Sequence, residues 1–288
     1  MAANIRTIKD IKPYLEKELG EIYPEPEISA LTSIIIRTIF GISRLHRLAL
    51  PEYPVKKKQL QKIISICREL RTGKPLQYIL GETSFYNCII RVNRETLIPR
   101  PETEELVDLI IKENRGFTGK ILDVGTGTGC IAIALALNIP GSAITGIDIS
   151  GEAIKTAKEN ALLNSVQITL LAADIFNAEF SFPDKADIIV SNPPYIRESE
   201  KQYIAKNVID FEPHMALFVP DSDPIIYYRA IVRFAMNILK PSGKIYFEIN
   251  EAMGKSIFQL LESSGYSGIE IIKDINGKER IIKAIKDD

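Results

Sequence analysis

The sequence predicts an α/β protein built on an open, mainly parallel sheet, with a smaller helical region ahead of it. Three observations carry this. Lys120-Ile121-Leu122-Asp123-Val124 is a short buried strand that runs into Gly125-Thr126-Gly127-Thr128-Gly129 and then into an apolar helix, Cys130 to Leu137. Two further strands, Ala143 to Ile147 and Val166 to Ala172, end at or near the acids Asp148 and Asp174. The apolar run Ala186-Asp187-Ile188-Ile189-Val190-Ser191 ends in Asn192-Pro193-Pro194-Tyr195. Open α/β sheets bind ligands in the crevice beyond the carboxyl ends of their strands, so these strand ends form one candidate site.

Taken in order, the chain divides near residue 85. Before it the apolar positions follow helical spacing: Leu31, Ile34, Ile35 and Ile39, then Leu60, Ile63, Ile64, Cys67 and Leu70. Pro24, Pro26, Pro51 and Pro54 break these segments, and Gly73-Lys74-Pro75 stops the last. Phe85 to Val92 is β-branched and aromatic, which predicts a small hairpin with a strand around Thr96 to Ile98. This gives a helical domain over residues 1–84, then a hairpin linker and the sheet domain with the candidate site over 85–288. Near the end, Ile269 to Lys273 and Arg280 to Ala284 flank Asp274-Ile275-Asn276-Gly277, a hairpin signal.

The motifs suit particular chemistry. Glycines let a backbone turn sharply and approach a ligand closely. The spacing here is G-x-G-x-G, which speaks against a nicotinamide or flavin site. Asp148, about twenty residues beyond that loop, is placed to accept ribose hydroxyl protons, and Asp174 to meet an adenine amino group. Pro193 and Pro194 have no N–H, so their turn offers carbonyl acceptors without competing donors. The Asn192 amide oxygen is another acceptor, and Tyr195 supplies a face for a planar group. Together they suit holding a planar –NH2 with its nitrogen aimed at an electrophile.

This order of elements resembles the class I S-adenosylmethionine-dependent methyltransferases that act on planar nitrogen. More of the chain resembles one family, the protein-(glutamine-N5) methyltransferases of peptide chain release factors, the HemK/PrmC type. The matching segments are Gly73 to Gly81, Leu97-Ile98-Pro99-Arg100-Pro101-Glu102-Thr103-Glu104, Leu122 to Ala132, Asp148-Ile149-Ser150, Ser191 to Ile196 and Glu212-Pro213. The resemblance implies a Rossmann-like, seven-stranded, mainly parallel sheet with an antiparallel last strand. It also implies S-adenosylmethionine held by Gly125, Thr126, Gly127, Thr128, Gly129, Asp148, Ile149, Asp174, Ile175 and Asn192. Asn192, Pro193, Pro194 and Tyr195 become the catalytic residues, and Arg100, Pro101, Glu102 and Thr103 join them in binding substrate. The implied substrate is the glutamine of the Gly-Gly-Gln motif of a release factor, with the helical domain recognising the body of that partner. Two segments depart from the family pattern: Phe211-Glu212-Pro213 leads to Val219-Pro220-Asp221-Ser222-Asp223-Pro224, and Glu248-Ile249-Asn250 stands where the family has Glu-x-Gly.

Composition fits an intracellular enzyme. The chain has 288 residues, 45% hydrophobic and 25% charged, enough for one large core and a smaller one. A net charge of −1 gives no general attraction to nucleic acid, and no stable nucleic-acid binding is expected. Cys67, Cys88 and Cys130 are widely spaced and read as small core residues in a reducing, cytoplasmic compartment. Met1 to Ile8 lacks a signal-peptide pattern, and Ile34-Ile35-Ile36 is broken by Arg37, too short to span a membrane. No metal is expected. His46, beside Arg44 and Arg47, reads as structural, and His214 as a loop residue. Lys56, Lys57, Lys58, Lys62, Arg68, Arg71 and Lys74 read as a solvated helix face, with contact to a translation factor or ribosomal RNA as the functional alternative. Two other activities compete: an adenine or cytosine amino-methyltransferase, which would need a basic groove for a flipped base, and a non-catalytic cofactor-binding adaptor.

Overall fold

A computed structural model describes residues 5–42, 50–177, 182 and 184–288. His46 and its neighbours Arg44 and Arg47 lie outside the described residues. The chain separates into two compact units, one of residues 1–80 with 206–211 and one of 81–205 with 212–288.

The first unit is helical. Helices Ile11–Leu19, Glu25–Phe40 and Lys57–Leu70 are joined by segments rich in proline, and a short helix, Leu76–Leu80, comes after them. Their apolar stripes close one core that includes Ile11, Leu15, Ile35, Ile63, Cys67 and Leu70. Pro26 sits in the first turn of Glu25–Phe40, where its missing N–H costs no helical bond, and Gly41 ends that helix in the left-handed conformation, φ 68°. Lys57, Lys58, Lys62 and Arg68 lie on the exposed face of their helix, while Arg71 pairs with Glu18 and Lys74 with Glu69.

The second unit opens with the hairpin β1 (Glu82–Phe85) and β2 (Cys88–Arg91), paired from Glu82↔Arg91 to Phe85↔Cys88. The expected partner strand around Thr96 to Ile98 is not one: the Thr96 N–H closes a turn on the Asn93 carbonyl, and the Ile98 N–H donates to the Glu212 carboxylate. The turn that makes the hairpin is Tyr86-Asn87, both left-handed (φ 41° and 64°), the twist a two-residue hairpin connection requires.

The main sheet has seven strands: β3 (Lys120–Val124), β4 (Ala143–Asp148), β5 (Thr169–Ala172), β6 (Ala186–Ser191), β9 (Leu239–Glu248), β10 (Tyr266–Lys273) and β11 (Glu279–Lys286). A small separate parallel pair, β7 (Ile196–Arg197) and β8 (Phe218–Val219), comes after the Asn-Pro-Pro-Tyr turn. Across the main sheet the order is β10-β11-β9-β6-β3-β4-β5. β5 begins later than the periodicity suggests, because the Val166 N–H still closes the preceding helix on Ala161. β3 to β6 and β9 are mutually parallel, whereas β11 is antiparallel to both its neighbours. The helix Cys130–Asn138 is apolar on every side because its first six residues are all buried.

Hairpin strand β2 is fixed by an unusual device. Residues alternate along an antiparallel pair, so Cys88 and Ile90 bond inward to β1 while Ile89 and Arg91 present free N–H and C=O groups outward. Asparagine side chains on the helix Gly151–Leu163 and at its cap satisfy them. Asn160 Oδ1 accepts from the Arg91 N–H (2.7 Å), and its Nδ2 donates to Arg91 O (3.0 Å) and to Thr128 O (2.9 Å) in the glycine loop. Asn164 bonds Ile89 N–H and C=O in the same manner, at 3.1 and 2.8 Å. Two amides four residues apart thus act as a surrogate strand.

Two outcomes are expected in urea unfolding. Asn160→Ala strands three backbone groups at a buried position and lowers stability by about 2–4 kcal/mol, whereas Asn164→Ala, half-buried and with exposed bonds to Ile89, costs about 1 kcal/mol or less. Asp123, wholly buried at the end of β3, is pushed up by burial to about 7, against the Thr126 hydroxyl donor. The unfolded chain loses this proton first, near pH 4, so stability falls as pH rises from there to about 7. From pH 5 to 7.5 the native protein therefore loses about 2.5 kcal/mol more than Asp123→Asn; equal losses would refute the assignment.

Candidate functional site

The register of the parallel strands builds the site. Val124 pairs with Ile147 and Ser191, and Ser191 with Phe247, so Gly125, Asp148, Asn192 and Glu248 stand one step further along in a row. Each lies at the carboxyl end of its strand.

At one side of the row is the glycine loop. Gly125, Gly127 and Gly129 are all left-handed, with φ of 72°, 54° and 79°. A Cβ on Gly129 would lie 3.1 Å from Ala157 Cβ, so this glycine lets the helix Cys130–Asn138 pack on its neighbour. Cβ atoms on Gly125 or Gly127 would meet nothing within 4 Å, which leaves bare backbone facing open space. Thr126 Oγ1 donates to the Asp123 carboxylate at 2.6 Å, tying the loop to β3. The other Asp123 oxygen is buried without a partner.

Asp148 joins the loop to the next strand: its two oxygens accept from the Gly127 N–H (2.8 Å) and the Ser150 N–H (2.9 Å). Burial raises the pKa of its carboxyl, and these backbone donors oppose the rise. Ile149 beside it is 56% exposed, an apolar surface at the mouth of the site. Asp174, past the end of β5, accepts from the Phe176 N–H, and Ile175 packs against the main core. No hydrogen bond links Asp174 to the loop or to Asp148 among the described residues.

At the other side, the helix Pro101–Glu113 starts with Arg100 as its extended cap and Pro101 in its first turn. That start brings Thr103 to Asn192, whose Nδ2 donates to Thr103 Oγ1 at 3.1 Å. The Thr103 hydroxyl in turn donates to Glu248 Oε2 at 2.6 Å, and the Tyr195 hydroxyl donates to Glu248 Oε1 at 3.0 Å. No described group donates to Asn192 Oδ1. Burial raises the pKa of Glu248, countered by these two hydroxyls and by the charge of Arg280. Tyr195 is raised as well, by burial and by Glu248, so it stays a phenol.

The sequence motifs are therefore not equally connected. Glycine loop and Asp148 form one bonded set; Thr103, Asn192 and Tyr195 form another. Arg100 belongs to a third, its guanidinium 2.6 Å from the buried carboxylate of Glu212, which also accepts from Ile98 N–H. Glu102 is half-buried in the first helical turn. His214 is exposed and edge-on to Phe218, with ring centroids 5.3 Å apart.

Reading the motifs alone misses Glu248. Its signal is present, since Ile245-Tyr246-Phe247-Glu248 is a buried strand ending in an acid, like those that carry Asp123 and Asp148. Asn250, at the family's glycine position, donates to Tyr195 O and to Glu200 Oε2, both at 3.3 Å. The altered 219–224 loop is also anchored, with Asp221 accepting from Ser199 N–H and Asp223 pairing with Arg229.

Comparison with known proteins agrees with this architecture. Residues 102–214 match the methyltransferase small domain, and residues 14–81 match the PrmC N-terminal domain. The release factor glutamine methyltransferase of Flavobacterium psychrophilum is 44% identical over 96% of this chain and 98% of its own length. The enzyme of that name from Bacteroides thetaiotaomicron is 41% identical over 95% of this chain and 98% of its own. Among solved structures, a methyltransferase from Pyrococcus furiosus shares the fold, with a TM-score of 0.53 at 17% identity over 81% of this chain and 100% of that one. Identity at this level along nearly the whole of both chains makes this protein a member of the release factor glutamine methyltransferase family.

Proposed function

We propose that this protein transfers a methyl group from S-adenosylmethionine to the side-chain amide nitrogen of the glutamine in the Gly-Gly-Gln motif of a peptide chain release factor. The observation that carries the reading is the Asn192 side chain, held by Thr103 through its Nδ2 so that its Oδ1 is left to accept.

An amide nitrogen is a poor nucleophile, because its lone pair is delocalised into the carbonyl. S-adenosylmethionine supplies the electrophilic methyl, and what the chain must supply is position, worth up to about 7–11 kcal/mol in favourable cases. The residues fit that cofactor. Bare glycine backbone at Gly125 and Gly127 admits close approach, with Thr126, Thr128 and Gly129 shaping the loop. The Asp148 oxygens keep lone pairs for ribose hydroxyls, and Ile149 offers an apolar surface to a planar ring. Asp174 and Ile175 complete that end. On the substrate side, Asn192 Oδ1 and the Pro193 carbonyl accept the two amide N–H groups and favour positive charge developing on nitrogen. Pro194 keeps donors out of the turn, and Tyr195 holds the amide plane. No side chain is assigned as an initial base, since the proton can leave after transfer. Arg100, Pro101 and Glu102 are assigned to the substrate side at the helix start, with Thr103 acting behind them through Asn192.

The helical unit is assigned to partner recognition, because a tripeptide alone offers too little surface for a specific interface. Residues 1–80 carry fourteen Lys and Arg against eight Asp and Glu, which suits an acidic protein surface. Three free, buried cysteines support a cytoplasmic location. No helix among the described residues is long and apolar enough to cross a membrane.

The test is mass spectrometry of purified release factor after incubation with this protein and labelled S-adenosylmethionine. One methyl on the Gly-Gly-Gln glutamine is expected; none there, with label on nucleic acid in a parallel reaction, would overturn the reading. Asn192→Ala is expected to lower kcat about 10²–10³-fold while cofactor affinity changes a few-fold. Gly127→Ala, whose new Cβ points into open space at φ 54°, is expected to weaken cofactor binding at least tenfold by calorimetry. Its cost to stability is only about 1–2 kcal/mol.

A further inference from the structure

We propose that Glu248, acting through Thr103, is the positioning residue that decides which way round the Asn192 amide faces. This deepens the proposed function and rests on it for its kinetic consequence.

The argument is one of hydrogen-bond direction. Glu248 is wholly buried, and each of its oxygens meets a hydroxyl: Oε2 to Thr103 at 2.6 Å and Oε1 to Tyr195 at 3.0 Å. A carboxylate can only accept, so both hydroxyls must donate to it. Thr103 has a single hydroxyl hydrogen, and Glu248 takes it. What Thr103 Oγ1 has left is lone pairs, 3.1 Å from the Asn192 amide. Only the Nδ2 end of that amide can be placed there; Oδ1 would set lone pair against lone pair. Asn192 Oδ1 is thereby turned away from Thr103 and kept as an acceptor. Thr103 is 2% exposed, so water does not compete for its oxygen.

The charged form of Glu248 has support around it. Arg280 on β11 acts on it electrostatically and donates to the Ile249 carbonyl at 3.2 Å, while the Tyr228 hydroxyl donates to the Glu248 carbonyl at 2.9 Å. Glu102, on the helix that carries Thr103, works against it. The relay is polar in one sense only: carboxylate, hydroxyl, amide –NH2, free amide oxygen.

Glu248→Gln keeps the shape but swaps one accepting oxygen for a donor, which lets the relay run backwards and turns Asn192 over. The expected result on the intact release factor is a fall in kcat of tenfold or more, with KM for the factor and the calorimetric Kd for S-adenosylmethionine within twofold. Thr103→Val should show the same split, and Thr103→Ser should restore most of the rate that Val removes. Should Glu248→Gln fail to fold, the Thr103 pair decides. An unchanged kcat in Thr103→Val, or a Ser variant as slow as Val at equal melting temperature, overturns the proposal. A readout independent of activity is the Asn192 side-chain amide in ¹⁵N spectra: one N–H is slowed in hydrogen exchange in the native protein and released in Thr103→Val. Its absence refutes the relay even if the protein methylates glutamine, whereas its presence in a protein that methylates no glutamine refutes the proposed function instead.

Discussion

The strand register of the parallel core is the constraint on which everything else rests. Ile121↔Ile144, Ile121↔Ile188 and Ile189↔Ile245 lock three strand pairs through residues that are almost fully buried. These strands are buried on both faces, so a slip of one residue would exchange the side chains fitted to one face of the sheet for those fitted to the other. The apolar core therefore dictates that Gly125, Asp148, Asn192 and Glu248 reach the sheet edge together, though none of the four belongs to that core.

At that edge the acids divide the labour. Asp123 and Glu248 are buried and bond the protein's own hydroxyls, whereas Asp148 is bound to backbone N–H groups and stays accessible. Burial of a carboxyl is costly unless donors meet it. Glu248 has two hydroxyl donors and a nearby cation; Asp123 has one oxygen unmatched, and burial pushes its pKa up to about 7. The same chemical group thus serves as buried scaffold or stays open at the sheet edge according to who donates to it.

Much of this is legible from residue order. Continuous apolar strands, the Gly125–Gly129 loop and the Asn192–Tyr195 turn mark both the sheet and the location of the site. The features that residue order hides depend on pairings across long separations. Thr103 and Glu248 are 145 positions apart, and no local pattern announces their hydrogen bond. Tyr86-Asn87 contains no glycine to flag a hairpin turn, though asparagine tolerates a left-handed backbone. The asparagine side chains that complete β2 are equally silent, since on a helix they look like ordinary polar surface.

The insertion of β11 between β9 and β10 sets a condition on how the protein is made. Neighbours in space are here out of order along the chain: the joining strand comes after both of the strands it joins. During synthesis β9 and β10 emerge with a strand-wide gap between them, each with an open edge, one carrying Ile245 and Phe247 and the other Ile271. Such edges invite pairing with other chains. A product cut short before Glu279 would keep two of them for good, so loss of the last ten residues threatens solubility more than it threatens the distant glycine loop.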